Sequence, residues 1–180
     1  MNLNKNTLIY SAVAIVLVFI GALFFSDRTD RVYGNDEDSI MSVIQSIDGY
    51  KGQAVTILEI IDIDDERIVP FLLNNEPAYI QFSKNLDGNY MWNHIEKRQG
   101  SSFSSFFLHI HTHDVKIMVV TNDQNEIAKM QVNVNGQLVE QSFEVGKATV
   151  SWLEIPVSKE GYTFRNYKYF DQQGNVIYEE

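Results

Sequence analysis

Three of the four histidines of this 180-residue chain fall within five residues, in the string HIHTHD that begins at residue 109. In a β-strand successive side chains point to opposite faces, so His109, His111 and His113 are predicted to share one face. Neutral imidazole is a good ligand for zinc, copper and nickel. These three histidines are therefore the candidate metal site of the chain.

Strand geometry limits what this site could bind. His109 and His113 would lie roughly 13 Å apart along an ideal strand, whereas zinc binds imidazole nitrogen at about 2 Å. One ion could therefore take only an adjacent pair, and His94 or Asp114 would have to supply further ligands. The alternatives are a polar strand facing solvent and a pH sensor whose imidazoles charge together near pH 6. We expect no cofactor, with zinc or another transition metal as the alternative.

Two other groups of residues invite a chemical interpretation. The acidic run from Asp62 to Glu66 offers carboxylates to calcium, but it lacks the loop glycine and the distant bidentate Glu of an EF-hand, so a solvated hairpin tip is predicted. Aromatic residues near the C-terminus alternate in a way that would divide them between both faces of a strand, where they could stack on a sugar or a peptide or serve as core and cross-strand pairs. They are Tyr162, Phe164, Tyr167, Tyr169 and Phe170.

Other signatures of catalysis are missing from the sequence. It has no Gly-rich phosphate loop, no G-x-S-x-G and no H-E-x-x-H motif. It also has no cysteine, which excludes disulfides, thiolate metal sites, cysteine nucleophiles and a lipoprotein anchor. The net charge of −10 disfavours binding to nucleic acid. We therefore expect a protein that is not an enzyme.

The N-terminal segment predicts a membrane anchor. Residues 7–25 carry no charge, and as a helix they would span roughly 28 Å, close to the thickness of the hydrocarbon core of a bilayer. A cleaved signal peptide is the alternative, but Phe24 and Phe25 stand where a cleavage site needs small residues. We expect an uncleaved transmembrane helix within residues 1–25, a linker over 26–35, and the remainder outside the cytoplasm.

A short helix is predicted directly after the linker. Asn35 can cap it, three acidic residues favour its N-terminus, and Gly49 can end it. Apolar residues recur at helical spacing and define a face that covers the adjacent sheet or docks a partner. These residues are Ile40, Val43, Ile44 and Ile47.

The rest of the chain has the period-two pattern of strands. Residues 36–100 are predicted to form the helix with an antiparallel meander, in which Pro70 marks an edge or a bulge and Trp92 lies in or near the core. Residues 101–180 are predicted to form an immunoglobulin-like β-sandwich, with a hairpin turn at Asn135-Gly136. The predicted fold class is α+β, mainly β.

The layout as a whole resembles a group of known proteins. An apolar N-terminal anchor, a helix with a meander, and a β-rich tail ending YKYFDQQGNVIYEE are similar to the uncharacterised membrane-anchored extracytoplasmic proteins of Gram-positive bacilli. The resemblance implies an envelope location. We expect a non-catalytic binding or envelope interaction module that contacts the membrane through residues 7–25 and has an envelope protein as partner. The alternative is a metal-binding protein or metal-dependent hydrolase that uses the HIHTHD strand.

Overall fold

The computed structural model of the chain describes residues 32–111 and 114–179. The predicted anchor and the first six residues of the predicted linker lie outside this range. Tyr33–Glu180 form one compact unit, mainly β with one short helix and antiparallel sheets, which confirms the predicted fold class at that level. No helix within the described ranges is long and apolar enough to cross a membrane. The predicted boundary near residue 100 stays a prediction.

One helix and twelve strands, arranged in three sheets, make up the described part of the chain. The helix, α1, spans Glu37–Ser46. Sheet A contains β1 (Val55–Ile57), β2 (Ile61–Ile63), β3 (Glu66–Leu73), β4 (Glu76–Lys84) and β5 (Tyr90–Lys97). Sheet B contains β6 (Phe103–His111), β7 (Asp114–Thr121) and β10 (Thr149–Leu153). Sheet C contains β8 (Lys129–Val134), β9 (Gln137–Ser142), β11 (Phe164–Phe170) and β12 (Val176–Glu179).

Neighbouring strands pair antiparallel in all three sheets. The strand order is β1-β3-β4-β5 in sheet A, with β2 also pairing β3, then β10-β7-β6 in sheet B and β12-β11-β8-β9 in sheet C. Sheet B lies between the other two sheets, so both of its faces are buried. Met118 and Val120 pack towards sheet A, whereas Ile117 and Val119 pack towards sheet C.

Helix α1 begins one residue later than the sequence predicted. Asp36 is the N-cap. Its carboxylate accepts a hydrogen bond from the Ser39 backbone N–H at 2.8 Å, and the Ser39 hydroxyl oxygen accepts one from the Asp36 backbone N–H at 2.9 Å. This reciprocal capping box satisfies two of the otherwise unpaired donors of the first turn. Asn35, the predicted cap, instead uses its side-chain oxygen to accept from the Tyr90 N–H at 2.9 Å.

The apolar face of α1 covers one side of sheet A. Its fully buried residues are Ile40, Val43 and Ile44. They pack against side chains of β3 and β4 that are likewise removed from solvent, among them Phe71, Ile80 and Phe82. The helix ends at Ser46, before the predicted Gly49, which adopts a positive φ in the following turn. The predicted covering role of this helix is thus the one the structure shows.

Pro70 lies in an interior strand and in regular register with β4, whereas the sequence predicted an edge or a bulge. Strand β3 pairs with β4 on one side and with β1 and β2 on the other. The Pro70 carbonyl accepts from the Leu58 N–H at 3.0 Å, so its nitrogen faces the break between β1 and β2. Proline lacks the N–H that a continuous neighbouring strand would need, and the break removes that need.

Strand β4 of sheet A is buried on both faces: Tyr79 and Ile80 are both buried, because α1 and sheet B cover opposite sides of the sheet. Trp92, expected near the core, is 44% exposed on β5, which is an edge strand.

Asn135 and Gly136 form the predicted turn between β8 and β9, with φ of 51° and 84°. Positive φ at both positions is what a type I′ hairpin requires.

Candidate functional site

The histidine string lies at the hairpin that joins β6 to β7. Strand β6 ends at His111 and β7 begins at Asp114, and these two residues are paired. The register also shifts between His109 and His111. His113 and the side chains of His109 and His111 are outside what the structure describes. The metal site stays a prediction.

His94, one proposed source of a further ligand, lies on the edge strand of sheet A. Its Nε2 is 3.7 Å from a carboxylate oxygen of Glu96, and its ring centroid is 5.4 Å from that of Tyr79. About half of its side chain is exposed. Within residues 32–111 and 114–179, no group of three or more His, Asp or Glu side chains is arranged to hold a metal ion.

The acidic turn between β2 and β3 supplies an internal ion pair. Asp62 accepts two hydrogen bonds from Arg67, at 2.6 Å from Nε and 2.8 Å from Nη2. These bonds hold the pKa of the Asp62 carboxyl below its usual value. This bidentate geometry is the strongest form of an arginine–carboxylate pair. Both carboxylate oxygens of Asp62 are therefore engaged by Arg67, which argues against the calcium role considered from sequence.

Arg67 also fixes the point where the chain enters the domain. Its Nη1 donates to the carbonyls of Gly34 and Asn35 at 2.9 Å and 2.8 Å, and its guanidinium lies 3.9 Å from the centre of the Tyr90 ring. Gly34 fits closely against Phe82, because a Cβ there would lie 2.3 Å from the ring. We call this arrangement the entry junction (Gly34, Asn35, Arg67, Phe82 and Tyr90).

The outer face of sheet C has a different character, because nothing within the described residues covers it. Along β8, Met130, Val132 and Val134 are buried, so the alternate residues point outwards. The register places Leu138 of β9 and Arg165 of β11 on either side of Asn133. Cross-strand neighbours of this kind stand roughly 5 Å apart at their Cβ atoms.

In the adjoining row of this face, the polar side chains are paired with one another. Gln131 donates to Glu140, and Lys168 pairs with Glu179 at 3.0 Å. The carboxylate of Glu140 also lies 3.6 Å from Lys129. The polar groups of this row therefore already have partners within the sheet.

The row through Asn133 lacks such partners within the described part of the chain. The side chains of Asn133, Arg165 and Asn166 make no hydrogen bond or ion pair with any described residue, and the neighbouring Leu138 is 60% exposed. Two adjacent concavities of about 560 and 470 Å³ share Asn133 and Asn166 in their walls. We call this surface the amide groove (Asn133, Leu138, Arg165 and Asn166).

A β-bulge creates one wall of the amide groove. The pairing of β11 with β8 shifts register between Arg165 and Lys168, and Asn166 within the bulge has a φ of 58°. Asparagine tolerates this left-handed conformation better than most residues. The extra residue changes the phase of the strand, so Tyr167 and Tyr169 lie on the inner face and Lys168 lies on the outer face.

The bulge also corrects the expected split of the aromatic residues. Four of the five pack on the same inner side, against the core between sheets B and C, and only Phe170 is engaged elsewhere, by the Lys129 ammonium at 4.5 Å from its ring centre. The inward four are Tyr162, Phe164, Tyr167 and Tyr169. Ring centroids of Phe107 and Phe164 lie 5.1 Å apart, an edge-to-face contact across the two sheets.

The chemistry available in the amide groove is that of binding. A carboxamide both donates and accepts hydrogen bonds, and a guanidinium presents five donors. A carboxamide does not titrate near neutral pH, and arginine stays protonated. These groups can therefore hold a ligand but cannot act as a general acid–base pair.

No family model matches the chain, and no curated protein and no solved structure matches it.

Proposed function

We propose that the chain is a membrane-anchored, extracytoplasmic, non-catalytic binding module of the cell envelope, and that the amide groove is its binding surface. The observation that carries this proposal is the contrast within one sheet face. The row of Gln131 and Lys168 is internally paired, whereas Asn133, Arg165 and Asn166 leave their donors and acceptors free. Free, preformed polar groups beside an exposed apolar side chain are what a specific ligand contacts.

The strand arrangement supports an immunoglobulin-like sandwich as the carrier of this surface. The seven strands β6 to β12 divide into a three-stranded and a four-stranded sheet that share one apolar core. The orders β6-β7-β10 and β9-β8-β11-β12 follow the Greek-key pairing of such domains, with the fourth strand joined to the second sheet. Sandwiches of this kind commonly serve in recognition at cell surfaces.

The proposed location rests on the apolar run of residues 7–25 and on the envelope layout described above. Because the chain has no cysteine, a single introduced thiol reports one position. Val157 is 94% exposed, so V157C should react with a membrane-impermeant maleimide on intact cells. Labelling only after lysis would contradict the extracytoplasmic location. A chain from the membrane fraction whose mass starts near Ser26 would contradict the uncleaved anchor.

Binding through the groove is tested by sedimentation with the insoluble envelope fraction of the source cells. The full chain, solubilised in detergent, should co-sediment with this fraction, and the Asn133→Ala variant should remain in the supernatant. Gln99→Ala is the matched control, because it removes an exposed carboxamide outside the groove. Equal sedimentation of all three chains would contradict the assignment of the groove.

A further inference from the structure

We propose that the ligand of the amide groove is a neutral, polyhydroxylated glycan lying along β8 and β11. This inference rests on the proposed function, since it names the ligand class of the same surface. It is drawn from the hydrogen-bonding complement, the charge and the position of the groove within the sheet.

The hydrogen-bonding groups of the groove match those of a sugar. Each hydroxyl of a glycan both donates and accepts, and so does each of the two unpaired carboxamides, Asn133 and Asn166. Arg165 is the cross-strand partner of Asn133 and adds donors beside it. The exposed Leu138 on the other side offers an apolar surface to the C–H face of a sugar ring.

The charge of the surface favours a neutral ligand. The neighbouring ions Lys168 and Glu179 are paired with each other, and Glu140 is engaged by Lys129 and Gln131. A cationic ligand would therefore meet no unpaired carboxylate among the groove residues. An anionic polymer would meet one free guanidinium on a chain whose net charge is −10, which repels it at longer range.

The position of the groove disfavours an extended polypeptide. A peptide that adds to a sheet pairs with the backbone of an edge strand. Asn133 lies on β8, whose backbone is already paired with β9 and β11, so the groove presents side chains alone. The two concavities that share Asn133 and Asn166 extend along the outer face from Gln131 to Asn135, roughly 13 Å. That length suits an extended chain of sugar rings better than one compact small molecule.

The test uses the full chain in a zwitterionic detergent without a sugar head group, because alkyl glycosides would compete for the groove. Chitotetraose, cellotetraose and maltotetraose are the probes, titrated by isothermal calorimetry. At least one of them should bind. Asn133→Ala and Asn166→Gly should each weaken it about five-fold or more, the cost of one lost hydrogen bond. Glycine accepts the φ of residue 166, so the bulge persists in that variant.

Two results would overturn the glycan inference. The first is that none of the three oligosaccharides binds. The second is that an oligosaccharide binds the unchanged chain, both groove variants and Gln99→Ala with the same affinity. The sedimentation experiment then separates the two proposals. If Asn133→Ala still fails to co-sediment with the envelope fraction although no oligosaccharide binds, the groove is a binding surface for another class of ligand, such as a folded protein. If neither assay responds to the groove variants, the proposed function fails as well.

Discussion

Sheets A and C are both antiparallel, yet they are covered differently. Sheet A is enclosed by α1 on one face and sheet B on the other, and even its charged Arg67, 11% exposed at the side chain, has hydrogen-bond partners. Sheet C packs against sheet B through one face only, and its outer face leaves Asn133 and Asn166 unpaired. Side chains of sheet A are therefore held by partners on both faces, whereas the outer side chains of sheet C remain accessible, as the proposed binding function requires.

The largest expected difference between the two regions concerns core packing. Phe71 of sheet A is fully buried, and truncating such a residue leaves a cavity. Phe71→Ala should therefore lower the free energy of unfolding by about 3–5 kcal/mol. Asn133→Ala on the bare face of sheet C should change it by less than about 0.5 kcal/mol. Denaturant unfolding of the full chain in detergent measures both, and equal losses would contradict the contrast.

A smaller effect is expected at the entry junction. The added methyl group of Gly34→Ala would lie 2.3 Å from the Phe82 ring. Overpacking of this kind should lower the free energy of unfolding by about 1–3 kcal/mol. Phe82→Leu removes the obstructing ring edge, so Gly34→Ala should cost less in that background. A double-mutant cycle measures this coupling, and strictly additive losses would show that the contact is not the cause.

The Asp62–Arg67 pair should make stability depend on pH in acid. The hydrogen bonds from Arg67 lower the pKa of Asp62 in the folded chain, so as pH falls the unfolded state, with a pKa of about 3.9, takes up its proton first. The stabilising contribution is therefore present above about pH 4 and is lost as pH falls through the folded pKa.

Asp62→Asn should consequently be less stable than the unchanged chain at pH 7, by about 1 kcal/mol, because Asp62 is partly exposed and the pair is screened. The difference should shrink as the pH is lowered through the acid range. Parallel unfolding curves from pH 7 to pH 3 measure it. A constant difference across that range would show that Asp62 acts by packing and not by charge.

The smallest expected effect is at the histidine hairpin of sheet B. We expect the melting temperature of the full chain to be the same with zinc and with a chelator, since we expect no cofactor. If His109 and His111 do bind zinc, the melting temperature should rise with zinc in a way that His111→Ala abolishes, and the rise should weaken as pH drops through about 6.5. Such a response would support the alternative metal-binding function.

Local patterns in the sequence were enough for the parts of the fold that depend on neighbours along the chain. Alternation of apolar residues with polar ones predicted β8, and Asn135-Gly136 predicted its hairpin because only such residues adopt two successive positive φ angles readily. The same alternation carries the signal for one wall of the amide groove, since Gln131 and Asn133 stand at the outward positions.

Features that depend on distant residues could not be predicted in this way. The bulge at Asn166 breaks the strict period of two, so Tyr167 faces inwards together with Phe164 where unbroken alternation would have separated them. The carbonyls of Gly34 and Asn35, to which Arg67 donates at the entry junction, are more than 30 residues away in sequence. Trp92 was expected inside on hydrophobicity alone, but its place on an edge strand leaves it exposed.

The central claim is that the outer face of sheet C is covered by a ligand in the cell envelope, and cysteine footprinting tests it directly. Leu138 is part of the amide groove, whereas Leu86 is fully exposed on the turn between β4 and β5 of sheet A. Alkylation rates of L138C and L86C are compared on intact cells and in the purified chain. We predict that L138C reacts several-fold more slowly on cells while L86C is unchanged. The same ratio of rates in both settings would contradict the claim.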